Sequence, residues 1–146
     1  MLPNLRKEEF TSIEAWRPSF IEFLASALFV FLGAESVIVT GAMTDGELTV
    51  PRLFTIALAH GLAVAFLAFA TANISGGHMN SAVIFAAVMT KKISGARGLM
   101  FVGAQLAGAV VGASLLLVTI PEAANTNLGA HALGSDVSVS MGLIWK

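Results

Sequence analysis

Asn73-Ile74-Ser75-Gly76-Gly77-His78-Met79-Asn80-Ser81-Ala82-Val83 decides how this 146-residue chain folds. The run sets a glycine-rich, polar break at the end of one hydrophobic span. A short apolar segment, 83–89, follows before the charges of Lys91 and Lys92. That segment cannot cross a bilayer, which takes about 20 apolar residues in a helix. Non-helical backbone at membrane depth persists only where protein or a water-filled cavity surrounds it. The stretch therefore predicts a re-entrant loop feeding a half-helix over about 74–90, the device with which channels and transporters build a solute site.

The surrounding composition fits a membrane. Hydrophobic residues make up 56% of the chain and charged ones 12%, against about 25% charged in soluble domains. Mean hydropathy is +0.83. No Asp, Glu, Lys or Arg occurs in 53–90 or 98–121. Three spans follow, at about 20–43, 53–73 and 98–120, with Pro18 and Pro51 near the starts of the first two and Pro121 after the third. The first is expected to act as its own uncleaved insertion signal, since no apolar run with a small-residue cleavage site precedes it. A polar outer loop is placed at 121–138, followed by a weak apolar restart at 137–145. The net charge of −1 gives nucleic acid no purchase, and the absence of cysteine excludes disulfides and Cys-ligated metal.

Lys and Arg in the short loops set orientation. Arg6, Lys7, Arg17, Lys91, Lys92 and Arg97 lie at one end and only Arg52 at the other, which puts the N-terminus and the Asn80 loop on the cytoplasmic side. The spans also carry small residues every fourth position: Ala57, Gly61 and Ala65 in the second, and Ala104, Gly108 and Gly112 in the third. Such spacing lets helix backbones approach closely in lipid.

Few side chains in the spans can do chemistry. A carboxylate at the bilayer centre costs about 2.5–3.5 kcal/mol, so Glu22 and Glu35 should face the bundle or a wet cavity. Glu22, near the inner end, is expected to accept hydrogen bonds from loop N–H groups; the competing reading is an interfacial carboxylate reaching headgroups. Glu35 stays open. His60 either presents its imidazole to a pore or is hydrogen-bonded inside the bundle, and spacing favours the second. His78 braces the loop. No metal site is expected from His60 and His78, because a third ligand is missing. Asn80 opens the short helix, where free N–H groups and about +0.5 of partial charge gather. It can cap that helix and aim its amide N–H₂ at a solute oxygen, orienting water and repelling cations. Ser81 stands where proline would pre-set φ. No catalytic triad spacing or phosphate-binding Gly-x-x-x-x-Gly-Lys occurs, so no enzyme and no cofactor is expected.

At these residues the chain resembles the N-terminal half of an aquaporin, a major intrinsic protein. In that family the first signature loop reads Ser-Gly-Gly-His-x-Asn-Pro-Ala-Val, and Ser75 to Val83 match it except for Ser81. Glu22-Phe23, Ala59-His60-Gly61, and Gln105 with Gly108 and Gly112 extend the likeness. The resemblance implies that Asn80, Ser81 and Ala82 form the pore signature and that His60 sits at the selectivity filter. It further implies loop support by Glu22, His78, Gly76 and Gly77, and helix packing by Gly61, Gly108, Gly112 and Gln105. His60 with 73–78 is similar to tonoplast aquaporins, where histidine goes with water and small neutral solutes such as ammonia, urea or glycerol.

The expected fold is thus an all-α membrane protein of three transmembrane helices and one re-entrant half-helix. It forms a single partial domain over 1–146, the first of the family's two inverted repeats, truncated where a fourth helix should begin around 140–144. The expected function is passive passage of water and small neutral solutes in truncated form. The alternative is a non-conducting membrane protein that associates with full-length relatives. Expected partners are the bilayer, such solutes, and copies of the chain or a full-length aquaporin.

Overall fold

The structure, a computed structural model, describes residues 7–120, 127–130, 132 and 138–140. Much of the outer loop and most of the apolar restart near the C-terminus lie outside the described residues. Within them, a 3-10 helix at Lys7–Thr11 leads into α1 (Ile13–Met43), α2 (Val50–Thr71), α3 (Ser81–Met89) and α4 (Gly95–Thr119). The fold class is all-α, with three helices long and apolar enough to cross a membrane.

Each helix starts on a side-chain cap. Ser12, Thr49, Asn80 and Ser94 accept from Ala15, Arg52, Ala82 and Arg97 N–H respectively, satisfying donors that no helix can satisfy internally. Hydropathy alone puts the first helix near residue 20, yet it begins at Ile13. Pro18 is its sixth residue and interrupts only one backbone bond, that to the Glu14 carbonyl. At 31 residues α1 is about 46 Å long, well over the roughly 30 Å of a hydrocarbon core. The surplus at its start carries Glu14 and Arg17, charges that hide a helix from an apolar-run search. α3, with nine residues, is about 13 Å long and cannot cross.

α1 and α4 form the tightest pair, and glycine makes it possible. A Cβ at Gly108 would land on the Phe23 carbonyl oxygen, and one at Gly112 on that of Ala27. Ile38 and Leu116 close the same seam, with Phe31 and Leu128 against them. α3 packs on α4 where Gly98 faces Val88. Arg52 ties the turn between α1 and α2: its guanidinium donates to the carbonyls of Gly46 (2.7 Å), Glu47 (3.0 Å) and Val37 (3.3 Å).

α2 departs from the packing expected of it. Gly61 is exposed, and a Cβ built there meets nothing within 4 Å. Ala57 and Ala65 are exposed with it, so among the described residues this small-residue row is not buried against another helix. Successive helical residues are 100° apart, and α2 turns Ala63 and His60 inward instead. Gly33 of α1 supplies the close approach, since a Cβ there would lie 2.6 Å from His60 Nε2. Outward, α2 presents Phe54, Phe66 and Phe69, the surface a lipid-facing helix requires.

Candidate functional site

The chain leaves α2 in a tight descent. Ser75 and Gly76 N–H still bond to the Thr71 and Ala72 carbonyls; then Gly76 (φ 97°), Gly77 (φ 62°) and Met79 (φ 43°) take left-handed backbone. Gly77 is required twice over: its φ suits glycine, and a Cβ would sit 2.6 Å from the Ala68 carbonyl oxygen. Met79 has no such licence and costs about 1–2 kcal/mol in that conformation. A short hydrogen bond holds it there, from its N–H to Glu22 Oε2 at 2.8 Å.

Glu22 is the centre of the construction. It is 0% exposed, and both carboxylate oxygens are occupied. Oε1 accepts from Ser75 Oγ (2.7 Å) and His78 N–H (3.1 Å). Oε2 accepts from Met79 N–H and from Gln105 Nε2 (2.9 Å). A carboxylate has about four acceptor sites, and here each is met by a donor, which is the condition under which a buried charge is tolerated. His78 Nδ1 lies 3.4 Å from Oε1 without making a hydrogen bond. Its ring rests on Phe101 with centroids 5.7 Å apart.

Asn80 caps α3, its Oδ1 accepting from Ala82 N–H at 2.8 Å. With the oxygen engaged, the amide N–H₂ is the remaining polar end, and Asn80 is exposed. Ser81 Oγ donates to Gln105 Oε1 at 2.9 Å. The start of α3 is thereby linked through Gln105 to the buried carboxylate: hydroxyl to amide oxygen, amide nitrogen to Glu22.

His60 stands apart from this group. Its Nδ1 bonds the Ile56 carbonyl (2.9 Å), so Nδ1 carries a hydrogen, and Phe29 meets the ring edge-on at 5.8 Å. Eleven residues, about 16 Å of helix, separate it from the end of α2. Glu35 is half-buried in α1 and makes no ion pair among the described residues. The structure thus joins Glu22, Ser75, Gly76, Gly77, His78, Asn80, Ser81, Ala82 and Gln105 in one assembly and leaves His60, Gly61 and Glu35 outside it. The hydrogen bonds of Ser75 and Gln105 to Glu22 are not among the expectations drawn from the sequence. The signal for Gln105 was available, because an amide in an otherwise apolar span needs a polar partner.

Comparison with known proteins follows from this geometry. The family model for major intrinsic protein matches residues 9–145. The chain is 36% identical to aquaporin-5 of Homo sapiens over 138 residues, covering 94% of this chain and 50% of that protein. It is 40% identical to the lens fiber major intrinsic protein of Canis lupus familiaris over 131 residues, covering 90% and 48%. The chain spans about half the length of the curated relatives it matches. A family match that runs through all three apolar helices and the capped loop between them leaves one conclusion: this chain is an integral membrane protein and belongs to the major intrinsic protein family.

Proposed function

We propose that this chain lines a passive pore for water and small neutral solutes. The observation that carries the reading is the exposed Asn80 amide at the start of α3, its oxygen held by Ala82 N–H so that its N–H₂ is left to a solute. A helix N-terminus adds partial positive charge there, which disfavours cations. Glu22 holds the loop in place, and His60, on Gly33 and Phe29, forms a separate constriction further along α2. The channel class comes from the family and from the curated relatives named aquaporin.

One observation favours a second role. The row Ala57, Gly61 and Ala65 is built for close helix contact, yet all three are exposed among the described residues. A chain that docks this row on a longer relative would act on assembly rather than conduct. Proteoliposomes holding only this chain separate the two. Osmotic shrinkage faster than that of empty vesicles supports the pore; no excess permeability, with insertion verified, supports the docking role.

The proposed orientation places the N-terminus in the cytoplasm. The chain has no cysteine, so single cysteines report cleanly. Thr11→Cys and Lys92→Cys are expected to escape a membrane-impermeant maleimide in intact cells, while Asp45→Cys reacts. The opposite pattern contradicts the orientation.

A further inference from the structure

Where α1 and α4 begin, the bundle carries an open cleft of about 360 Å³ whose lining includes Glu14, Arg17, Asn73, Ser75, Arg97 and Phe101. Arg17 and Arg97 lie near the starts of two different helices. Neither makes an ion pair among the described residues. Arg97 Nε is buried with no hydrogen-bond partner, a costly state for a charged donor. Arg52 offers the contrast: its Nε is also unmet, but its terminal nitrogens reach three backbone carbonyls. Among the described residues the guanidinium of Arg97 has no such compensation.

Three features define what would satisfy it. Two guanidinium groups match the geometry of phosphate oxygens. Glu14 reduces the lining to a single net positive charge, which a phosphodiester monoanion neutralises and a phosphate dianion exceeds. Finally, the cleft lies where two helices long and apolar enough to cross a bilayer begin, and basic pockets between such helices on the cytoplasmic side bind lipid headgroups. We propose that this cleft holds the phosphodiester of an anionic phospholipid headgroup, clamped by Arg17 and Arg97. The proposal does not rest on reading the chain as a pore.

The test uses the full chain in detergent micelles doped with phosphatidylglycerol, phosphatidylcholine or inorganic phosphate, with the thermal midpoint followed by tryptophan fluorescence. Phosphatidylglycerol is expected to raise the midpoint more than an equal amount of phosphatidylcholine, and inorganic phosphate to leave it unchanged. Arg17→Gln and Arg97→Gln are each expected to weaken phosphatidylglycerol binding about tenfold or more, with helical content checked by circular dichroism. Arg17 is exposed, so its variant carries the test if the Arg97 variant fails to fold. Equal shifts from the two lipids, or an undiminished phosphatidylglycerol shift in the Arg17→Gln variant or the double variant, would overturn the site. The same shift from inorganic phosphate alone would overturn its assignment to lipid.

Discussion

Glu22→Leu is expected to destabilise the chain by about 3–5 kcal/mol, the range for removing one side of a buried charged network. Leucine leaves four donors facing apolar carbon: Ser75 Oγ, His78 N–H, Met79 N–H and Gln105 Nε2. Two of these are backbone groups that cannot turn away, and Met79 loses the bond that holds its left-handed φ. Glu22→Gln should fare better, because one amide oxygen still accepts while the amide nitrogen faces donors across the other side. Thermal unfolding in detergent, followed by circular dichroism, ranks them wild type, then glutamine, then leucine. Equal stability of the two variants would contradict the role given to the carboxylate.

The second large effect concerns the α1–α4 seam. Gly108→Leu places a side chain against the Phe23 backbone carbonyl, an obstacle that no rotamer change removes. Overpacking costs about 1–3 kcal/mol and occasionally more, and a clash with backbone belongs at the upper end. Gly103 lies on the same helix, is exposed, and a Cβ there meets nothing within 4 Å. Gly103→Leu is therefore the control and should be neutral or slightly stabilising, since leucine is the better helix former. If both variants lose stability equally in the same unfolding assay, the close approach at Gly108 is not what holds the pair.

Glycine spacing also shows how much of the packing is legible in the sequence. Small residues at every fourth position announce a close helix contact, but not where the partner comes from. Gly108 and Gly112 meet α1, whereas a Cβ at Gly61, with the same spacing, meets nothing within 4 Å among the described residues. Periodicity identifies a face; it takes the fold to say what lies opposite. The start of α3 was readable because Asn80 follows a glycine break and precedes an apolar run, so local chemistry alone sets the cap. The start of α1 was not, because its cap, Ser12, precedes a turn and a half bearing Glu14, Arg17 and Pro18, which interrupt the apolar signal.

The buried assembly was legible in part for a similar reason. Glu22 drew notice as a carboxylate in an apolar span, and a demand for hydrogen bonds follows from that alone. Its partners are separated from it by 53 to 83 positions, and no local pattern encodes which donors arrive. Ser81 illustrates the gap. Its place in the motif marks it as a substitution for proline, while its hydroxyl bond to Gln105 appears only once α3 lies along α4.

The account rests on the Asn80 amide as the donor that a passing solute meets. Osmotic permeability of proteoliposomes carrying wild type or Asn80→Asp, at equal inserted protein, tests that most directly. Aspartate keeps the capping oxygen for Ala82 N–H and exchanges the amide donor for a negative charge. The wild-type chain should exceed empty vesicles, and the variant should lose about tenfold of that excess, the equivalent of one hydrogen bond. Equal permeability of the two, both above empty vesicles, would show that solute passes without meeting Asn80 and would contradict the account.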